Sequence, residues 1–298
     1  MKLLFAFDSG SNCNYLVRML ELQSLMFKNF SYSFIRFPLY TQVNQDDFDV
    51  LIYQTFPGEN HPFKFNEEMI KQTDEKFWEF KGVKILMDSF DDGEKDAFTR
   101  MGEAVEKIPR IKNVPGLSYL EKFNVIFRTL PYLGTDVIET VNNGKRDVIL
   151  HCAFRVKGYP HQFRKNTMDI LHREFSQETK FERVPRRKYP EFLRRTQISI
   201  TAPGWGPCST AFYIAIQHGA LSFAEETVDR HKMLPRVDLI PGEDYVSFSI
   251  DTLADKLRYL LKNPDECDQI RKSGHEKIKE GYNIRESAKE FHQVLEKL

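Results

Sequence analysis

Leu3–Phe7 is an unbroken apolar run of the kind a central parallel strand needs, because such a strand is covered on both faces. A polar, Gly-containing turn follows over Asp8–Asn12. Then Leu16, Met19, Leu20, Gln23 and Phe27 recur at helical spacing across roughly Asn14–Lys28. Ser33–Phe37 and Val50–Tyr53 read as the next strands, Glu67–Phe80 as a charged amphipathic helix, and Val83–Met87 as a further strand. This alternation predicts a parallel sheet with helices on both faces. Residues 103–145 are less regular. Ile108–Tyr119 is rich in Pro and Gly, Val125–Leu130 reads as a strand, Asp136–Asn143 as a short helix, and Asn142–Lys145 is turn chemistry suited to an interdomain linker.

The pattern restarts beyond that linker. Asp147–Ala153 reads as a strand, followed by a basic loop carrying Arg155, Lys157 and Arg164 and a helix to about Glu174. Phe181–Val184 is predicted as a strand, Pro185–Lys188 as a loop, and Pro190–Arg195 as a short helix. Next come an apolar strand, Ile198–Thr201, a Gly/Pro loop, Ala202–Pro207, a helix, Cys208–His218, and a second apolar strand, Ala220–Ala224. Gly219 occupies the position of a helix C′ residue. Asp251 is predicted to cap a helix with Leu253, Leu257, Leu260 and Leu261 on one face. Asn263-Pro-Asp-Glu266 reads as a capping box opening a helix that ends at Gly281, and Ile284–Lys297 as the last helix.

The stretch between residues 189 and 226 carries the most chemistry. Gly204 and Gly206 let the backbone approach a ligand, and Ser209 and Thr210 lie where the helix starts. Its unpaired N–H groups and positive end favour an anion, most simply a phosphate. Glu225 and Glu226 then stand at the carboxyl end of the following strand, where open α/β sheets place ligands.

Arg194-Arg195-Thr196, Ile198–Ile200, Pro203-Gly204-Trp205-Gly206, Ser209-Thr210 and Ala215–Leu221 occur in an order that resembles the nucleotide-sugar half of GT-B glycosyltransferases. The exostosin-like and spore-maturation-protein (CgeB)-like groups have the most similar pattern. The resemblance covers about residue 146 to residue 290. It implies an α/β fold with two Rossmann-like domains facing across a cleft. They would be an acceptor domain over residues 1–145 and a nucleotide-sugar domain over 146–283, with a C-terminal helix, 284–298, crossing back to the first. It implies a metal-independent transfer of a hexosyl or pentosyl group from a UDP- or GDP-linked sugar to an acceptor hydroxyl, with the nucleotide-sugar as co-substrate and no other cofactor.

In that frame Arg155, Lys157, Arg164, Arg186, Gly204, Trp205, Gly206, Ser209, Thr210, Glu225 and Glu226 would hold the donor, with Pro185–Lys188 over the base. Ser9, Gly10, Ser11 and Asn12 would face the acceptor, as would the loops at residues 54–61 and 88–93. A general base would come from Asp8, Asp88 or His61, which stay unranked. The helix position that often carries a ribose-binding Glu in the commoner pattern is Ile214 here, which moves that role to Glu225–Glu226. Two alternatives remain open. One is a DNA-modifying glycosyltransferase acting on a hydroxylated base, motivated by the basic run Lys180–Arg195; the other is a non-catalytic nucleotide-binding protein, motivated by Ile214.

Composition narrows the field. At 298 residues, with 41% hydrophobic and 29% charged positions, the chain is long enough for two ordinary domains. Formal net charge is zero, so bulk electrostatics argue neither for nucleic acid nor for a membrane. The 25 Phe fall mostly at core-like positions. Cys13, Cys152, Cys208 and Cys267 are scattered, which fits reduced thiols in a cytosol-like compartment. The apolar start of the chain is shorter than the roughly 7–15 residues of a secretory h-region. No run approaches the ~20 apolar residues of a membrane helix, so a soluble, cytoplasmic enzyme is expected. Neither a D-x-D nor His/Cys ligand spacing points to a metal, and neither G-x-S-x-G nor G-x-G-x-x-G points to a serine hydrolase or a dehydrogenase. His151 and His218 read as core or helix-end histidines.

Overall fold

The computed structural model describes residues 1–7, 14–36, 39–54, 67–88, 98, 101–112, 115, 117–128, 146–154, 162–203, 209–232, 234 and 236–298. The chain divides into two compact units: Met1–Tyr132 together with Asn283–Leu298, and Leu133–Tyr282. The linker expected at residues 142–145 lies outside the described residues.

The first unit holds strands β1 (Lys2–Phe7), β2 (Ser31–Arg36), β3 (Val50–Gln54), β4 (Val83–Asp88), β5 (Arg110–Lys112) and β6 (Val125–Arg128). Its helices include α1 (Asn14–Met26), α2 (Glu67–Glu79) and α3 (Leu117–Lys122). All strand pairs are parallel, in the order β2-β1-β3-β4-β5-β6. The apolar run of β1 is buried from Leu3 to Phe7, and β3 is buried throughout, as central strands should be. Edge strand β2 has no buried position, only exposed and half-buried ones. A core of Leu4, Leu51, Tyr53, Phe77, Leu86 and Phe98 fills one face.

Neither β5 nor α3 is announced by the Pro/Gly-rich stretch in which they begin. Strand β5 is Arg-Ile-Lys, a pattern that looks solvated, yet Arg110 and Lys112 are both fully buried.

The second unit contains β7 (Val148–His151), α4 (Gln162–Glu174), β8 (Thr179–Lys180), α5 (Tyr189–Arg194), β9 (Thr196–Thr201), α6 (Thr210–Gln217), β10 (Leu221–Glu225), β11 (Val246–Phe248), α7 (Leu253–Lys262) and α8 (Pro264–Gly281). Its parallel strands run in the order β11-β10-β9-β7-β8. Leu150, Ile198, Ile200, Leu221, Phe223 and Phe248 form the sheet's part of the core, and Leu253, Leu257 and Leu260 of α7 close over it.

Three local expectations shift. The strand placed at Phe181–Val184 is instead Thr179–Lys180, because its partner β7 stops at His151, which pairs with Lys180. Phe181 leaves the ladder and stacks on His172, ring centroids 4.0 Å apart. Helix α7 is entered through Thr252, not Asp251, and the Thr252 hydroxyl accepts the Ser249 N–H at 3.0 Å. Asn263 does precede α8, but no capping box forms. Its amide turns back to donate to the Tyr259 carbonyl at 2.8 Å, serving the end of α7 in place of the start of α8. Glu266 accepts the Tyr259 hydroxyl at 2.6 Å.

Helix α9 (Ile284–Leu295) returns the chain to the first unit. Asn283 caps it by accepting the Glu286 N–H at 3.1 Å. Its apolar face packs against α1 and β6: the His292 ring stacks on Phe27 at 3.7 Å, Phe291 lies 4.9 Å from Phe127, and the Gln23 amide donates to the Ala288 carbonyl at 2.7 Å. Among the described residues, no helix is long and apolar enough to cross a membrane.

Candidate functional site

In the second unit β7 is flanked by β8 on one side and β9 on the other. The chain leaves β7 in one direction for β8 and comes back on the other side for β9. Between β7 and β9 lies the topological switch point, the place where open α/β sheets leave a crevice at their carboxyl ends. The carboxyl ends of β7 and β9 border it, and a segment follows each. The first contains Arg155 and Lys157 and the second Gly204, Trp205 and Gly206, all outside the described residues.

The two segments are joined by Arg164, in the first turn of α4. It is 5% exposed, its Nε donates to the Pro203 carbonyl at 2.7 Å, and Nη2 lies 3.4 Å from that of Ala202. The guanidinium also stands 5.4 Å from the centre of the Phe154 ring. Both assigned bonds therefore fix the backbone just before Gly204. The arginine expected to meet a diphosphate is in this structure tied to the backbone carbonyls of Ala202 and Pro203.

Helix α6 starts after this loop. Ser209 takes the extended N-cap conformation (φ −85°, ψ 149°), and its side chain makes no capping bond to the helix. The N–H groups of a helix's first turn lack intrahelical acceptors and carry its positive pole. The helix is positioned by its far end as well as its apolar face. Phe212, Tyr213, Ala215 and Ile216 are buried, Gly219 has φ +74°, and the N–H groups of Gly219 and Ala220 bond the carbonyls of Ile216 and Ala215, both at 2.9 Å. This is a Schellman closure with Gly219 at C′, as the sequence indicates. Ile214 packs beside Leu193, Ala215 and Ala220, which gives the departure from a ribose-binding Glu an apolar setting.

At the end of β10 the two carboxylates part company. Glu225, 8% exposed, caps the 3-10 turn of residues 226–230 by accepting the Thr227 N–H at 3.1 Å and its hydroxyl. Glu226 is exposed. Arg186 lies in the 3-10 turn Arg186–Lys188; its side chain, like that of Thr210, is outside the described set.

In the first unit β1 sits between β2 and β3, so the switch point falls between β1 and β3. The segments after them contain Asp8, Ser9, Gly10, Ser11, Asn12 and His61, all outside the described residues. Asp88, at the carboxyl end of β4, is fully buried. Its Oδ1 is 3.1 Å from the Lys112 Nζ and its Oδ2 accepts the Tyr119 hydroxyl at 2.7 Å. The Lys112 ammonium lies 4.7 Å from the Tyr119 ring centre. Arg110 stands 4.0 Å from that of Phe123 and donates to the Val105 carbonyl at 3.2 Å. Of the three base candidates, Asp88 is thus a buried ion-pair partner. No spacing in the sequence announces this cluster, since its members are brought together only by strand pairing.

His218 closes α6, and burial, with Arg194 and His275 nearby, lowers its pKa to about 4. His151 is also held below the ordinary value by burial, its Nε2 3.4 Å from the Glu182 carbonyl. Both are neutral at ordinary pH and sit in packed surroundings, as read. Among the described residues no group of three or more His, Cys, Asp or Glu side chains is placed to hold a metal ion.

The fold is shared with solved glycosyltransferases. HepE from Anabaena, solved with UDP, superposes with a TM-score of 0.64 over 100% of both chains at 10% identity. Sucrose-phosphate synthase from Thermosynechococcus elongatus gives 0.59 over 100% of this chain and 98% of that one, also at 10% identity. An alpha-glucosyltransferase in complex with UDP-glucose and DNA containing an abasic site gives 0.54 over 99% of both, again at 10%. At such identities the likeness carries the fold, two Rossmann-like units of the GT-B class, and nothing finer. No curated protein sequence matches the chain. The glycosyl transferase-like family model matches residues 136–293, more than half of the chain, and this chain belongs to that glycosyl transferase-like family.

Proposed function

We propose that the chain transfers a hexosyl or pentosyl group from a nucleoside-diphosphate sugar, UDP- or GDP-linked, to an acceptor hydroxyl. The observation that carries this reading is the start of α6 at the switch point of the second sheet, behind a loop whose backbone Arg164 fixes at Ala202 and Pro203. The UDP held by HepE and the UDP-glucose held by the alpha-glucosyltransferase support the choice of donor class.

As the glycosidic bond to the diphosphate breaks, negative charge grows on the leaving oxygen. Donors already aimed at that charge need no reorganisation, which makes them the largest catalytic lever. The α6 N–H groups supply them, and Arg155 and Lys157 add positive charge from the neighbouring segment. This arrangement supports transfer without a metal. Glu226, exposed where Glu225 is engaged by Thr227, is the carboxylate that would hold ribose or sugar hydroxyls. The acceptor would meet Ser9, Gly10, Ser11 and Asn12, with the general base drawn from Asp8 or His61. Placement beside the exostosin-like and CgeB-like groups, and a cytosol-like compartment, complete the reading; Cys152 and Cys267, each buried as an unpaired thiol, support the latter.

The test is the melting temperature with UDP and with GDP. Ligand at a hundred times its Kd stabilises by about 2.7 kcal/mol, which moves a domain of this size by roughly 5–10 °C. No rise with either nucleotide would overturn the assignment. A second reading, in which the acceptor is a hydroxylated base in DNA, is favoured by the four exposed cations Lys180, Arg183, Arg187 and Lys188, none of which forms an ion pair among the described residues. The DNA held by the alpha-glucosyltransferase lends it the same fold-level support.

A further inference from the structure

The basic run from Lys180 to Arg195 separates into two kinds of residue once folded. Arg194 pairs with Glu191 at 2.9 Å and Arg195 with Asp147, so both are neutralised locally. Lys180, Arg183, Arg187 and Lys188 are exposed and make no ion pair among the described residues. Four exposed cations within nine residues that hold a single acid, Glu182, make a local positive surface in a chain of zero net charge.

That surface is concave. Arg183, Arg187 and Lys188 line a hollow of about 520 Å³ whose apolar walls are Val184, Pro185 and Phe192. The acids on its rim are Glu182 and the already paired Glu191. The frame is fixed: the Lys188 N–H bonds the Pro185 carbonyl at 2.8 Å, and His151 packs edge-on against Phe192, ring centroids 4.8 Å apart. Burial, against a hydrogen bond to Ser199, pushes the Tyr189 hydroxyl up to about 12, so it stays neutral beneath the loop. The hollow flanks edge strand β8, which lies two strand spacings, or roughly 10 Å, from β9 in the sheet.

We propose that this hollow docks the sugar–phosphate backbone of a nucleic acid. Positive charge spread along an open surface, with apolar ground between the cations, suits a string of phosphates and sugars better than a single buried anion. The inference rests on the DNA-acceptor reading of the function. It assigns substrate positioning to Lys180 and Arg183, which the donor reading does not use, and to the loop Pro185–Lys188 otherwise expected over the donor base.

The experiment uses the full chain and a fluorescent 20-base-pair duplex, with anisotropy read between 50 and 200 mM KCl. Three phosphate contacts give a log–log slope of about −2.7, hence roughly forty-fold weaker binding across that range. The variant Lys180→Gln/Arg183→Gln, outside the loop expected over the donor base, should bind about five-fold more weakly at 50 mM and lose much of the slope, while its UDP-induced rise in melting temperature is retained. Lys289→Gln/Lys297→Gln, which removes charge elsewhere, should bind as the parent does. Absence of salt-dependent binding by the parent overturns the proposal. So does loss of the UDP response in the Lys180→Gln/Arg183→Gln variant, which would give the hollow to the donor. Equal binding of heparin would make the surface a general polyanion site and overturn it as well. Duplex binding without any nucleotide response would overturn the transferase reading and the acceptor role with it, while the duplex contact itself would stand.

Discussion

Lys112 and Arg164 are buried cations, one in each unit, and their partners set what each change should do. Lys112 faces Asp88 with no solvent at either side chain. Lys112→Met strands a buried carboxylate and should cost about 3 kcal/mol or more in urea unfolding. Adding Asp88→Asn removes the buried carboxylate but leaves the Arg110 guanidinium buried beside Tyr119, so it should return little of that loss. Arg164 braces two carbonyls with a planar fork that lysine lacks. Arg164→Lys should therefore weaken UDP binding by roughly ten-fold in calorimetry, at a stability cost of about 1–2 kcal/mol. His218 gives the pH dependence. Its folded pKa of about 4 lies below the ordinary 6.5, so the unfolded chain binds the proton more readily between those values. Stability is then full above pH 6.5 and falls as pH drops towards 4, by on the order of 2–3 kcal/mol from this group. Urea unfolding at pH 7, 5.5 and 4.5 measures it, and His218→Gln should flatten that dependence. At this scale Gly219 was legible, because one residue type suits one backbone conformation. The burial of Asp88 was not, because its partners lie on other strands.

Elements depend on what they pack against as well as on their own pattern. Helix α8 crosses the turn at Asp244 so closely that a Cβ on Gly274 would stand 2.0 Å from the Asp244 carbonyl oxygen. Asp244 is itself buried, accepting from the Ile240 N–H at 2.7 Å and from Ser273 and Lys277 at 2.6 Å. Gly274→Ala must push α8 off that turn, and a loss of about 2–3 kcal/mol is expected in thermal or urea unfolding. Strands with long apolar runs, β1, β3, β9 and β10, were readable because burial on both faces leaves its mark in composition. Strand β8 was read two residues late, since Phe and Val look strand-like whether or not a partner extends beside them. Strand β5 went unread because charge flanks its one isoleucine, and partners such as Asp88, Tyr119, Phe123 and the Val105 carbonyl make such a strand tolerable inside a protein.

The two units share one strand order, with the second strand outside the first and the rest on the other side, and each has its switch point between its first and third strands. The first unit is completed by the end of the chain, through α9 on α1 and β6. A chain ending at Tyr282 should lose stability in that unit alone. With Trp205→Phe as background, Trp78 fluorescence should report a transition at lower urea; an unmoved midpoint would mean that α9 contributes little. The sequence alone determined the alternation of strand and helix, the restart of the pattern in mid-chain, and a loop and helix start suited to phosphate. Those depend on periodicity and on the backbone preferences of Gly, Pro and Ser, which are local. Tertiary structure alone decided which cations are buried against acids, which are tied to backbone and which are left facing solvent. Such pairings join residues far apart in the chain, and no local pattern encodes them.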